Sequence, residues 1–276
     1  MNKSFTMTFI LTQLIAQPGE WVELPNSPYV SRFNDINFVN TDQGWAVNGW
    51  GQIYFTPDGG NSWELQLEQS ESHFRSVGFF DVMNGWAGNV GAGEFGATDT
   101  IKLYKTSDGG GSWERFDSFS GPDPAGICGL QVVNDSVMCA VGRVRGPAFF
   151  IKTIDKGESW ISYELDEYAA GLIDLLFFDP DTGFIVGLTH EDHEQSSGVV
   201  LRTVDGGVSW ETMIVTSRLG EWTWKISFPS RNVGYVSLQR NYDAPIYFLK
   251  TTNGGEIWEE KLFSESYYFV QGIGFV

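Results

Sequence analysis

The side chains best equipped for chemistry in this sequence are its arginines. Six of the nine, Arg32, Arg75, Arg143, Arg145, Arg218 and Arg240, lie in segments that also carry His73, Trp222, Trp224, Tyr242, Tyr267 and Tyr268. Guanidinium forks beside aromatic rings suit carboxylates, sugars or a protein tail, because they combine bidentate donors with flat apolar area. The plainer reading is that these arginines pair with neighbouring carboxylates. A second candidate is the run Thr189-His190-Glu191-Asp192-His193-Glu194, where two histidines three apart stand among carboxylates and could hold a divalent cation. No third ligand follows at a fixed spacing, so a solvated acidic loop is preferred, and neither metal nor cofactor is expected. Glu164, Asp166, Glu167 and Asp243 qualify as acid or base by loop position alone. Glycoside hydrolysis needs two carboxylates at a defined separation, which spacing in sequence does not supply. A strained serine nucleophile, a phosphate-cradling glycine loop and a dinucleotide fingerprint are all missing.

Composition narrows the partners. The chain has 276 residues, 42% of them hydrophobic and 15% aromatic, with 33 glycines. Many aromatics with many glycines point to short strands joined by tight turns. A net charge of −18 opposes docking on phosphate backbones or anionic lipid, so no nucleic-acid partner and no membrane insertion are expected. A protein or glycan ligand fits better; nothing in the sequence speaks to oligomeric state.

The elements that must position the arginines are set by a repeat. Thr56-Pro-Asp58-Gly59-Gly60-Asn-Ser62-Trp63 recurs around Asp108 and Trp113, around Asp155 and Trp160, and around Asp205 and Trp210. A degenerate fifth copy has Asn253 and Trp258. The tryptophans are spaced by 50, 47, 50 and 48 residues. Asp at the start of a turn accepts bonds from the next backbone N–H groups, and the glycines take positive φ. Upstream of each copy lies a hairpin pattern, such as Ile36-Asn-Phe38-Val39 leading to Gly44-Trp45-Ala46-Val47. Strands a and b, a variable loop, strand c, the octapeptide turn and strand d make a four-stranded antiparallel propeller blade. Blades are expected at about 35–68, 76–118, 127–165, 173–215 and 225–263.

These octapeptides and the Gly-Trp-Ala-Val hairpin resemble the Asp-box (BNR-repeat) β-propellers. The wording is most similar to the photosystem II stability/assembly factor family and its bacterial relatives. The resemblance covers about residues 21–276 and implies an all-β propeller whose octapeptide turns are peripheral and structural. It implies docking or chaperone-like work on another protein. Sialidases carry the same turn, so an exo-acting glycosidase is the competing class. The Arg-Ile-Pro segment typical of sialidases is absent, since Arg32 is followed by Phe33 and Asn34.

In such a blade the d-to-a and b-to-c connections emerge on one face, which would gather Arg32, Arg75 and Arg218 with Arg143, Arg145 and Arg240. Gly91 to Asp99 is a long b-to-c insertion expected to border the central opening. Residues 21–24 read as a strand d and 271–276 as a strand a of an incomplete sixth blade. Five full blades with those parts suggest a fragment of a six- or seven-bladed ring, or a five-bladed ring with ragged ends. Lys3, the apolar run Phe5 to Ala16, and Gln17-Pro18 read as a signal peptide over 1–17, placing the protein in a bacterial periplasm or outside the cell. Cys128 and Cys139 could bridge in an oxidising compartment, although two small buried apolar residues are the plainer reading.

Overall fold

The first four octapeptides close their turns with the same bonds. In the fourth copy Thr203 Oγ1 accepts from Gly207 N at 2.9 Å and donates to Asp205 Oδ1 at 2.8 Å. Asp205 Oδ1 also accepts from Ser209 N at 2.9 Å, and Ser209 Oγ donates to Oδ2. The first three copies repeat the pattern. The fifth keeps the Thr251 and Asn253 bonds but carries Ile257 where the others have serine, so the hydroxyl bond is lost. The second glycine of each turn does more than bend the chain. Gly157, at φ +87°, would bring a Cβ to 2.3 Å from the Trp86 ring of the preceding blade, and Gly207 to 2.1 Å from Phe150. In the third, fourth and fifth turns glycine lets the turn press on an aromatic of the preceding blade, and in the second on the Gln66 amide.

The computed structural model describes residues 24, 26–28, 30–241, 243–269 and 272–274. Apart from a 3-10 turn at His193–Gln195, its regular elements are strands. The first sheet holds β1 (Phe33–Phe38), β2 (Gly44–Asn48), β3 (Gln52–Thr56) and β4 (Glu64–Glu68). The second holds β5 (Phe74–Phe79), β6 (Gly85–Asn89), β7 (Leu103–Thr106) and β8 (Glu114–Phe116). The third has β9 (Gly129–Val132), β10 (Met138–Gly142), β11 (Phe149–Thr153) and β12 (Ile161–Glu164). The fourth has β13 (Gly171–Phe177), β14 (Gly183–Leu188), β15 (Gly198–Thr203) and β16 (Glu211–Val215). The fifth has β17 (Glu221–Ser230), β18 (Val233–Arg240), β19 (Ile246–Thr251) and β20 (Glu259–Ser264). All five are antiparallel meanders in chain order, the architecture of propeller blades.

The innermost strands pack in sequence, β1 on β5, β5 on β9, β9 on β13 and β13 on β17. Side chains clip neighbouring blades to each other's backbone. Asp35 Oδ2 accepts from Val77 N at 2.9 Å, Gln131 Oε1 accepts from Phe177 N at 2.6 Å, and Asp174 Oδ2 accepts from Ile226 N at 3.0 Å. Between the blades lie aromatic contacts, including Trp45 on Phe79 and Trp86 against Trp160, with ring centroids 5.2 Å apart in the latter. Trp160 is buried to 1% exposure, which makes it one of the largest contributors of apolar burial.

Four of the five inner strands begin two to four residues before the expected blade starts at 35, 76, 173 and 225. The reason is a register shift at their channel ends, between Phe33 and Asp35, Phe74 and Ser76, Leu172 and Asp174, and Thr223 and Ile226. An inserted residue breaks the alternation of apolar and polar side chains, so the period-2 pattern becomes readable only after the bulge. The third blade lacks that shift and its strand starts later, at Gly129.

Among the described residues, the first blade's outer side is left uncovered. Val77 and Phe79 of β5 are buried against the first blade, whereas their counterparts Ile36 and Phe38 on β1 are 53% and 40% exposed. The expected signal peptide over 1–17 lies outside the described residues, as do residues 21–23 and 271, 275 and 276 of the expected closing blade. Leu24 and residues 272–274 are described and belong to no strand. Cys128 and Cys139 are both free thiols, buried in separate apolar clusters, so no bridge joins them.

Candidate functional site

The bulges do local work at the centre of the ring. Counting back from the paired positions, Asn34, Arg75, Cys128, Ile173 and Trp224 occupy the same place in the five blades. A bulge re-aims its extra side chain, and such features recur beside functional sites. Here the five converge. The Arg75 guanidinium carbon sits 4.9 Å from the Trp224 ring centroid, an approach between the second and fifth blades. Cys128, Ile173 and Trp224 share one apolar cluster with Trp222. The next position holds Asp35, Ser76, Gly129, Asp174 and Lys225 in the five blades, and Lys225 Nζ binds Asp174 Oδ1 at 3.0 Å. Burial, opposed by Lys225 and by the Val77 amide bond, pushes the Asp35 carboxyl up to about 6.

Around this plug the loop side forms a basic mouth. Arg32, Phe33, Asn34, Arg75, Trp224, Lys225 and Gly272 line a cavity of about 200 Å³. Arg75 is only 7% exposed, is stacked between Trp224 and the Phe95 ring (5.7 Å), and its Nε has no hydrogen-bond partner. His73 stacks on Phe95 with centroids 5.0 Å apart. Its Nε2 accepts from Asn34 Nδ2 at 3.2 Å, and the same amide donates to Phe74 O at 2.7 Å. Burial, reinforced by Arg75 and Arg32, lowers the His73 imidazole to about 4, so the ring is neutral at ordinary pH. Arg143 Nη1 donates to Ala92 O at 2.7 Å, and Arg145 lies close enough to act electrostatically on both Glu94 and His193.

The six arginines therefore fall into two groups. Arg32 and Arg75 line the mouth beside His73, while Arg143 and Arg145 flank it at the 91–99 insertion, through Ala92 O and Glu94. Arg218 is engaged by Glu221 at 2.9 Å and by Glu260, and lies 3.7 Å over the Tyr247 ring. Arg240 binds Asp243 at 2.9 Å and reaches the Pro245 carbonyl. For these two the local-pairing reading describes the geometry. Trp222, placed by sequence in a loop, lies inside β17, 2% exposed, because the fifth inner strand starts four residues earlier than expected. Tyr242 lies outside the described residues. The octapeptide residues Asp58, Asp108, Asp155 and Asp205 bind within their own turns, as does Asn253.

His190 and His193 serve different ends. His190 Nδ1 accepts from Asp192 N at 3.0 Å, while His193 packs on Trp222 at 4.3 Å. Among the described residues no group of three potential ligands is arranged to hold a metal. Of the carboxylates singled out by loop position, Asp166 accepts from Ala148 N at 2.9 Å and Asp243 holds Arg240.

Sequence reasoning passed over Asn34, Asp35, Asp174 and Lys225, which read as ordinary strand residues, and over Glu94 and Phe95 inside the long insertion. The signal that could have found the first four is the register: one polar or charged residue just ahead of the alternating pattern in successive blades.

No family model matches the sequence, and no curated protein does. Solved structures do. A family-74 glycoside hydrolase of Niastella koreensis superposes with a TM-score of 0.63 at 17% identity, over 83% of this chain and 38% of that one. An ancestral family-74 enzyme gives 0.58 at 16% identity, over 88% and 34%. YCF48 bound to a D1 peptide gives 0.43 at 16% identity, over 90% and 85%. The chain thus spans little more than a third of the hydrolases it matches. At these identities the likeness shows the fold, a β-propeller of four-stranded blades.

Proposed function

We propose that this chain is an exported, non-catalytic binding scaffold that holds a carboxylate-bearing segment of another protein at the loop-side mouth of its propeller. One observation carries the reading: Arg75, nine-tenths buried, keeps an unpaired Nε and lies between two aromatic rings among three further arginines. Burying a guanidinium without a bonded counter-charge is costly, and such a site is relieved by a ligand that brings the acceptor. A rigid ring of sheets holds the loops in fixed relation, as scaffolds for recognition do. The net charge of −18 limits non-specific uptake of acidic polymers, so the arginines act as a local exception within a repelling surface.

The test is a titration of the purified chain with a fluorescein-labelled hexaglutamate peptide, beside Arg75→Ala, with a fluorogenic sialoside and xyloglucan assayed on the same preparation. Saturable binding lost in Arg75→Ala, with neither substrate turned over, supports the scaffold. Turnover that a loop carboxylate substitution abolishes would overturn it in favour of the glycosidase class.

A further inference from the structure

Beside the mouth, within electrostatic reach of Arg75, Arg143 and Arg145, stands a carboxylate of the chain itself. Glu94 lies in the insertion between β6 and β7, is 2% exposed, and its Oε2 has no hydrogen-bond partner. Arg145, Arg143 and Arg75 all act on it electrostatically, yet none forms an ion pair with it. Burial outweighs their pull and leaves the Glu94 carboxyl above its ordinary range. A buried acid with an unmet oxygen beside a buried arginine with an unmet nitrogen is a poor pair: each is desolvated and neither satisfies the other.

The segment that carries Glu94 turns on left-handed glycines. Gly91, Gly93 and Gly96 hold φ of +77°, +90° and +84°, and a Cβ added at Gly93 or Gly96 would touch nothing within 4 Å. The backbone at these two glycines faces open space, while Gly93 N donates to Ala97 O at 2.9 Å and Ala97 N to Glu94 O at 2.8 Å to close the tip. Phe95, between them, is a non-glycine residue at φ +46°, 44% exposed, held over Arg75 and against His73 by its ring alone. Anchors lie at the base: Thr98 N and Asp99 N donate to Glu71 O, and Asp99 takes Tyr104 and Ser72 hydroxyls. One further tie crosses to the next blade, the bond from Arg143 to Ala92 O.

We infer that residues 91–98 form an autoinhibitory cap, with Glu94 standing beside the arginine mouth as an internal competitor that a carboxylate ligand displaces. The inference rests on the binding role proposed for this mouth and adds its regulation. Displacement returns Glu94 to water, frees Arg75 to bond the incoming carboxylate, and releases Phe95 from its left-handed backbone. Each step removes a local cost of the closed form, which offsets part of the contact energy lost when the cap leaves.

The experiment compares wild type, Glu94→Gln and Glu94→Asp in the full chain. The probes are labelled hexaglutamate and, in a second arm, hexagalacturonate, which separates a peptide carboxylate from a sugar one. Removing the internal charge should tighten binding of whichever probe is accepted by about tenfold, while Glu94→Asp should remain near wild type. Amides of residues 91–98 should exchange hydrogen faster in the bound wild-type protein than in the free one. Equal affinity for wild type and Glu94→Gln, with both binding, overturns the cap and leaves the binding role standing. No binding by any of the three, with melting curves unchanged, overturns both.

Discussion

The outer turns and the central mouth sit at opposite ends of the same blades and follow opposite rules. At the rim, four copies of one octapeptide repeat one set of bonds and the fifth lacks only the hydroxyl bond; the Thr Oγ1 to glycine N–H contact varies from 2.7 to 3.0 Å across all five. At the mouth, five equivalent positions hold Asn34, Arg75, Cys128, Ile173 and Trp224, no two alike. The backbone, hydroxyl and carboxylate groups of the rim turns bond to one another, although the buried indole Nε1 of Trp113, Trp160, Trp210 and Trp258 has no partner. The mouth and its flank contain buried charged side chains with an atom left without a partner, Arg75 Nε and Glu94 Oε2. Repetition therefore encodes the frame, and departure from repetition at a fixed structural position encodes what the frame carries. Natural chains violate local rules mainly where function requires it.

The largest test of this contrast is Trp160→Ala against Arg145→Ala. Trp160 fills the space between the second and third blades, and its truncation should cost about 3–5 kcal/mol, as for other buried aromatics. Arg145 is exposed, and its removal should change stability by less than about 0.5 kcal/mol while weakening hexaglutamate binding. Thermal melts of both variants decide it. Similar loss of stability in the two would mean that rim and mouth are not separable.

Next in size is Thr203→Val, nearly isosteric. It leaves the buried Gly207 N–H without an acceptor and should cost about 1–3 kcal/mol. Placed at Thr251 in the degenerate fifth turn, the same change should cost a similar amount, because Gly255 N depends on Thr251 in the same way. Denaturant midpoints of the two variants give the comparison. A much smaller effect at Thr251 would show that losing the serine hydroxyl has already loosened that turn.

The same contrast explains how much of the molecule is legible in the amino-acid sequence. The octapeptides announce themselves because their bonds are local: Asp205 and Ser209 are four residues apart, and a repeat of local chemistry is a repeat of letters. The sheets follow from the alternation at Val77 and Phe79 or at Leu175 and Phe177. The mouth is different. Arg75 meets Trp224 across 149 positions of sequence, and that approach depends on bulges that erase the pattern from which strands are read. Loop position groups the six arginines but does not divide them, since the carboxylate that engages Arg218 belongs in part to Glu260, 42 residues away. Glu94 was invisible for a related reason: a glutamate in a glycine-rich insertion reads as solvated, and only the fold buries it.

A smaller effect is expected from Asp35→Asn, and its sign depends on pH. Burial raises the folded-state Asp35 carboxyl to about 6, above its unfolded value of about 3.9, so the fold binds the proton more tightly. The stability linked to this group is fully present below about pH 3.9 and is lost as pH rises through about 6. At pH 7.5 the amide variant should therefore be more stable than wild type by about 1–2 kcal/mol, and at pH 4 the difference should vanish. Melting temperatures of both proteins across that range test it. A variant less stable than wild type at pH 7.5 would mean that Lys225 and the Val77 amide more than compensate the buried charge.

The smallest effect is spectroscopic and tests whether the mouth is dry. His73 is pushed down to about 4 first by burial and then by the Arg75 and Arg32 guanidinium groups. Its folded value lies below the unfolded one of about 6.5, so the unfolded chain takes up a proton that the fold refuses. The associated stability is present above about pH 6.5 and is lost as pH falls through about 4, opposite in sign to Asp35 over much of the same window. Proton NMR of the imidazole C–H signals should show one histidine with a midpoint near 4, assigned by its loss in His73→Gln. Arg75→Ala should move that midpoint upward but leave it short of 6.5, because burial is the larger cause and remains. A wild-type midpoint near 6.5 would show a ring open to water and a mouth solvated like the rim, which would remove the physical difference between the two regions.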